Sequence, residues 1–181
     1  MLKNRILFCM TGSIACYKAC SLVSLLIKNK FEVQCVTTKM ALKFIGKATL
    51  EGLTDSKVIE DIFDSEFFKV HIDLVNWADL ILVAPATANT INRLSVGLAD
   101  DIIGLIYLAN NYQKPFLIAP AMNSNMLEHI TTKRSMEKLE EDGAFIFPTA
   151  DGVLACGTYG KGKMINPKNI YDEIIKHLNG V

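Results

Sequence analysis

Leu80-Ile81-Leu82-Val83-Ala84-Pro85-Ala86-Thr87-Ala88-Asn89-Thr90 is the stretch that decides the fold. Its first four residues are large and aliphatic with no polar break. Such a run suits a strand covered on both faces, and strands covered twice belong to parallel sheets. The run is far too short to span a bilayer, and Pro85 is expected to end it. Small and hydroxyl-bearing residues come next. From Thr87 to Leu94 the apolar residues then recur at helical spacing.

Outward from this unit the same alternation repeats. Ile6–Met10 reads as a first strand and Ile14–Lys28 as a helix, with Ala15, Ala19, Leu22, Val23, Leu26 and Ile27 on one face. Phe31–Val36 is a second strand, followed by a helical segment over Ala41–Leu53. Asp100–Ala109 reads as a helix. Phe116–Ala119 is a further buried strand stopped by Pro120. Thr131–Glu141 (helix), Ala144–Phe147 (short strand) and Asn169–Leu178 (helix) complete the pattern. Strand and helix in alternation predict an α/β fold: one domain over residues 1–181, with an open parallel sheet and helices on both faces, Rossmann-like or flavodoxin-like.

The composition narrows the class. Hydrophobic residues make up 50% of the chain, at the upper end for a soluble domain, and predict a large core plus a subunit interface. Basic and acidic residues balance at 19 each, which gives no footprint for nucleic acid. No apolar run is long enough for a membrane span. The five cysteines, Cys9, Cys16, Cys20, Cys35 and Cys156, have no paired spacing and predict a reducing cytoplasm. No histidines or cysteines stand at metal-ligand spacing, so no metal is expected.

In open parallel sheets, ligands bind beyond the carboxyl ends of the strands. Four loops stand there: Thr11-Gly12-Ser13-Ile14, Thr37-Thr38, the 84–90 segment, and Pro120-Ala121-Met122-Asn123. Gly12 and Ser13 before a helix offer backbone N–H donors and a favourable dipole to a phosphate. Thr37, Thr38, Thr87 and Thr90 add hydroxyls. Singly, each hydroxyl is also explained as a helix cap; at successive strand ends, together they favour a mononucleotide site. Neither the dinucleotide glycine fingerprint nor the P-loop pattern is present.

Cys9, Cys16, Cys20 and Cys35 read as small core residues. Cys156 lies in Leu154-Ala155-Cys156-Gly157-Thr158-Tyr159-Gly160-Lys161-Gly162-Lys163-Met164. Three glycines in six positions predict a mobile loop, able to close over a ligand and present the thiol as an acid. His71, between a polar acidic segment and the 80–83 strand, reads as a structural residue or as a functional one. His129 and His177 have no supporting context.

Taken in order, these segments resemble the homo-oligomeric flavin-containing cysteine decarboxylases, from Ile6 to about Met164. Gly12-Ser13-Ile14-Ala15 resembles that family's first flavin-phosphate loop. His71-Ile72-Asp73-Leu74 with Trp77-Ala78-Asp79 resembles its active-site histidine segment. The 84–90 stretch resembles its second flavin loop, and Pro120-Ala121-Met122-Asn123-Ser124-Asn125-Met126 its P-x-M-N-x-x-M substrate motif. Two departures stand out: Leu127 replaces the usual tryptophan after that motif. Lys163 replaces an arginine, which keeps the charge but loses the bidentate fork.

The resemblance implies FMN as cofactor, held by Gly12, Ser13, Ile14, Thr37, Thr38, Thr87, Ala88, Asn89 and Thr90, with backbone near Met122 in contact. It implies a small-molecule substrate held by Asn123, Ala155 and Lys163, with His71 and Cys156 catalytic. The activity implied is decarboxylation of 4'-phosphopantothenoylcysteine to 4'-phosphopantetheine in coenzyme A biosynthesis. Loss of carbon dioxide needs an electron sink. Oxidising the thiol to a thioaldehyde provides one, and flavins carry out such hydride transfers. His71 would act in that half, as a base or an orienting group. The resulting ene-thiol then needs hydride and a proton; Cys156, ordinarily protonated at neutral pH, would give the proton. Family members that lack this cysteine stop at the ene-thiol, as in peptide-antibiotic maturation, so Ala155-Cys156-Gly157 favours the coenzyme A reaction. A flavin-dependent decarboxylase of peptide cysteines and a non-catalytic flavin-binding regulator are the alternatives. The resemblance also implies a homo-trimer or homo-dodecamer with flavin between subunits and the histidine supplied by a neighbour. It further implies that a separate ligase, joining phosphopantothenate to cysteine, makes the substrate.

Overall fold

The computed structural model describes residues 4–61, 69–153, 155, 157 and 159–180. Five strands form the main sheet: β1 (Arg5–Met10), β2 (Glu32–Thr37), β3 (Leu80–Ala86), β4 (Phe116–Pro120) and β5 (Phe145–Ile146). Their order is β2-β1-β3-β4-β5 and every pairing is parallel. This is the flavodoxin-like order, whose direction of winding reverses between β1 and β3.

The strands divide their side chains between two cores. Ile6, Phe8 and Met10 of β1, Leu80 and Leu82 of β3, and Leu117 of β4 face one side. There they meet α1 (Cys16–Lys28), α2 (Lys47–Thr54) and α8 (Pro167–Asn179) through Leu22, Leu26, Leu50, Ile170 and Ile174. Leu7, Cys9, Ile81, Val83 and Ile118 face the other side. They pack on α3 (Val70–Trp77), α4 (Ala88–Ser95), α5 (Ile102–Asn110) and α7 (Ile130–Glu141) through Leu74, Ile91, Ile103, Ile106 and Leu139. Burial on both faces is why the central strands are continuously apolar. A short α6 (Ser124–Glu128) follows β4, and β6 (Ala150–Val153) pairs with β7 (Tyr159–Lys163) as a separate antiparallel hairpin.

Four readings of the sequence change. Pro85 does not stop its strand: β3 runs through it to Ala86, whereas β4 ends at Pro120 as expected. Pro85 has no N–H to give, and the β3–β4 register shifts between Val83 and Ala86, so the ladder passes over it. The helix expected over Ala41–Leu53 is a 3₁₀ turn at Ala41–Lys43 followed by α2, because extended Gly46 separates them as the N-cap. The helix α3 has no counterpart in the sequence pattern, since His71, Asp73 and Asn76 interrupt its apolar spacing. The glycine-rich segment is not a plain mobile loop: its described residues are largely the β6–β7 hairpin. Leu154, Cys156 and Thr158 lie outside the described residues. Among the described residues, no helix is long and apolar enough to cross a membrane.

Candidate active site

The ends of β1 and β3 are tied together at the point where the winding reverses. Thr11, fully buried, follows β1. Its Oγ1 donates to the Pro85 carbonyl at 2.7 Å and accepts from Thr87 N–H at 3.0 Å. Its own N–H also donates to Pro85 O, at 3.2 Å. One hydroxyl thereby fixes the loop after β3 against the loop after β1. Thr87 caps α4: its Oγ1 accepts from Thr90 N–H and lies 3.2 Å from Thr90 Oγ1.

Two adjoining cavities open at this end of the sheet. The larger, about 830 Å3, is lined by Thr11, Gly12, Thr37, Thr38, Thr87, Asn89, Thr90 and Arg93, among others. The smaller, about 580 Å3, is lined by Gly12, Ser13, Ile14, Lys18, Met122, Asn123, Ala155, Gly162 and Lys163, among others. Both volumes fall in the ordinary range for small-molecule and cofactor sites. Gly12, Thr87 and Met126 line both, so the two form one cleft.

Local chemistry explains the residue types. A Cβ on Gly12 would sit 2.5 Å from Met40 Cβ, so only glycine lets the end of β1 lie so close to the 38–41 turn. Thr38 Oγ1 accepts from Ala41 N–H at 3.2 Å and holds that turn. Thr37 Oγ1 is buried at the cavity wall with no hydrogen-bond partner among the described residues. A buried hydroxyl in that state is costly unless a ligand satisfies it. Ser13 does not cap α1, whose N-cap is Ala15; its Oγ accepts from Ala15 N–H at 3.2 Å and shapes the turn instead. Asn123 is the N-cap of α6, with Oδ1 accepting from Asn125 N–H at 2.8 Å.

Most of the residues singled out in the sequence therefore meet in one cleft. Two do not. Ala88 is buried and lines neither cavity. His71, at the start of α3, also lines neither; its Nδ1 is buried and has no hydrogen-bond partner among the described residues. Cys156 falls outside the described residues.

Sequence reasoning missed three residues here. Thr11 was visible as a hydroxyl beside Gly12, but its bridging role depends on Pro85 and Thr87. Arg93 lines the larger cavity and pairs with Asp100 and with Asp101 at 3.3 Å; its partners stand seven and eight residues on, beyond the end of α4, and carry no local signal. Lys18 enters the smaller cavity and donates from Nζ to Met164 O at 3.0 Å. Burial, and then the charge of Lys163, push the Lys18 ammonium pKa down. The four described cysteines are free. Burial pushes the Cys9 thiol far up and Cys35 up to about 12, so neither is a nucleophile.

A cofactor-sized cleft at the β1/β3 reversal, with a buried hydroxyl that lacks a partner among the described residues, is matched by the family comparison. The Flavoprotein family model covers residues 1–179. The chain belongs to the Flavoprotein family. Within it, the chain is 42% identical over 181 residues to the Coenzyme A biosynthesis bifunctional protein CoaBC of Bacillus subtilis (strain 168), covering 98% of this chain and 44% of that protein. It thus spans under half the length of that bifunctional relative. Two solved structures share the fold closely. One is a cysteine-to-serine mutant of PPC decarboxylase complexed with pantothenoylaminoethenethiol: TM-score 0.85, 32% identity, 96% of this chain and 97% of that one. The other is the FMN binding protein AtHal3: TM-score 0.84, 32% identity, 99% and 98%.

Proposed function

We propose that this chain binds FMN and decarboxylates 4'-phosphopantothenoylcysteine to 4'-phosphopantetheine. The observation that carries the reading is the continuity of the two cavities through Gly12, Thr87 and Met126. The hydroxyl-lined cavity suits the mononucleotide. The second, with Asn123 and Lys163 at its wall, suits a small anionic substrate held against it.

Gly12, Ser13, Ile14, Thr37, Thr38, Thr87, Asn89 and Thr90 would hold the cofactor, with Ala88 packing beneath them and Met122 at its edge. Thr37 Oγ1 would gain the partner it lacks among the described residues. When bound, flavin supplies hydride transfer in both directions, the chemistry that side chains lack. Asn123, fixed by its own cap bond, would donate from its amide to the substrate carboxylate. Ala155 and Lys163 would close the far wall. Cys156 would protonate the carbon left by carbon dioxide. His71 would act on the substrate thiol in the cleft of a neighbouring copy, which accords with its absence from both cavities of its own chain. This reading makes the working unit a homo-oligomer, a trimer or a dodecamer of trimers, in the cytoplasm.

The test is an absorbance spectrum of the purified full chain, then addition of 4'-phosphopantothenoylcysteine with mass-spectrometric analysis. Flavin bands and a saturated product lighter by carbon dioxide are expected. Cys156→Ser is expected to stop at the ene-thiol. A colourless protein that takes up no added FMN would sink the proposal; a flavoprotein that ignores this substrate but decarboxylates a peptide cysteine would move it to the peptide reaction.

A further inference from the structure

The two halves of the cleft differ in charge. The larger cavity has Glu60, Asp61, Asp100 and Asp101 in its wall. Both of its cations are paired, Lys39 with Asp61 at 3.8 Å and Arg93 with Asp100 and Asp101. The smaller cavity has Lys18 and Lys163 in its wall and, among the described residues, no carboxylate. Both lysines are half-buried, and among the described residues neither makes an ion pair. Two like charges gathered in one recess without a counter-charge are costly unless a ligand supplies it.

Each lysine is held by its own element. Lys18 stands in the first turn of α1, and its Nζ donates to Met164 O at 3.0 Å. An ammonium has three N–H donors, so that bond leaves others for a ligand. Lys163 ends β7, which presses against the segment after β4. A Cβ on Gly160 would lie 2.5 Å from Ser124 Oγ, and one on Gly162 would lie 2.2 Å from Met122 O. Bare backbone at both positions seats the strand and brings Lys163 to the cavity wall. Across the hairpin, a Cβ on Gly152 would meet Lys163 Nζ at 2.9 Å, so the glycine there leaves the ammonium its place. Burial, and then the charge of Lys163, push the Lys18 pKa down. An anion between the two ammonium groups would relieve that repulsion.

We propose that Lys18 joins Lys163 in a dication that receives a phosphate monoester. Charge separates this ligand from a carboxylate. A carboxylate carries one negative charge, and the neutral amide of Asn123 serves the one that the reaction removes. A phosphate monoester carries about −1.5 to −2 near neutral pH and offers three acceptor oxygens. Lysine meets phosphate as a point charge and needs no fixed fork geometry. The inference rests on the proposed function for the identity of its ligands. That reading brings two phosphate monoesters to the cleft, the 5'-phosphate of FMN and the 4'-phosphate of the substrate, and they share the chemistry that two lysines recognise.

Two pairs of ligands that differ only by a phosphate provide the test, measured by titration calorimetry on the full chain. One pair is 4'-phosphopantetheine and pantetheine, added to the FMN-loaded protein. The other is FMN and riboflavin, added to protein stripped of cofactor. Lys18→Met and Lys163→Met are each expected to cut the preference for the phosphorylated member at least about tenfold in one pair, with affinity for the unphosphorylated member held within about twofold. Lys163→Met leaves the Lys18–Met164 bond in place, so it tests the dication even if Lys18→Met disturbs α1. Loss in the pantetheine pair assigns the dication to the substrate's phosphate, and loss in the flavin pair assigns it to the cofactor's. Equal weakening of both members, or an unaltered preference in both pairs, overturns the proposal; so does a parent protein without a phosphate preference in either. A parent that takes up FMN but binds neither pantetheine ligand sinks the proposed function, and the flavin pair alone then decides whether the dication stands.

Discussion

Thr11→Val isolates the bond that joins the two cofactor loops. Valine keeps the shape of threonine and removes the hydroxyl. Two hydrogen bonds go with it: the 2.7 Å donation to Pro85 O and the 3.0 Å acceptance from Thr87 N–H. Pro85 O keeps a donor, because the backbone N–H of residue 11 still reaches it at 3.2 Å. Thr87 N–H is left without its acceptor at a partly buried position. An orphaned buried donor costs about 1–3 kcal/mol, and the lower half of that range, about 1–2 kcal/mol, suits partial burial. For a chain of 181 residues, each kcal/mol lowers Tm by about 2–4 °C, so a fall of about 2–8 °C is expected. The apoprotein can relax around the lost bond, whereas the bound state must restore the loop. FMN affinity should therefore fall by up to the full cost, about 5- to 30-fold. Fluorescence titration of the apoprotein with FMN and differential scanning calorimetry measure the two effects. Thr11→Ser keeps the hydroxyl and should behave like the parent in both. A Thr11→Val protein that binds FMN within about twofold of the parent and melts at the same temperature would refute the view that Thr11 organises this site.

Gly12→Ala forces a Cβ to within 2.5 Å of Met40 Cβ; the 38–41 turn must move, and FMN affinity should fall at least about tenfold, or about 1.4 kcal/mol, in the same titration. Asn123→Asp retains an oxygen to cap α6, so Tm should hold, while the new carboxylate repels a substrate carboxylate and raises KM with the loss greatest above pH 5; an unchanged KM would remove Asn123 from the substrate site. Burial pushes the Cys35 thiol up to about 12 and lifts Cys9 and Cys16 as well, so at pH 8 all three stay as thiols. These three should resist a thiol reagent in the native protein and react once it is denatured; rapid native labelling of Cys35 would contradict its place in the core.

The sequence by itself determined the fold class. The runs at 6–10, 80–83 and 116–119 have no polar face, so they could be satisfied only as strands covered on both sides, and the strand-to-helix turns had to place Gly12, Thr37, Thr87 and Asn123 at one end of a parallel sheet. It also carried the family likeness, because those loops keep their residue types. Local reading misjudged Pro85, since a strand tolerates a proline where the ladder shifts, and that shift depends on the neighbouring strand. It misjudged the 151–163 glycines too. Read alone they suggest freedom, but at Gly160 and Gly162 the missing side chains are what let β7 lie against Ser124 and Met122. Only the tertiary structure decided that Thr11 bridges β1 to β3, that Arg93 meets Asp100 and Asp101, that two cavities merge at Gly12 and Thr87, and that His71 stands away from both. Apart from the Arg93 pairing, which spans seven and eight residues, each of those facts relates residues far apart in the chain. Side-chain pattern records which face is buried, not which partner arrives there.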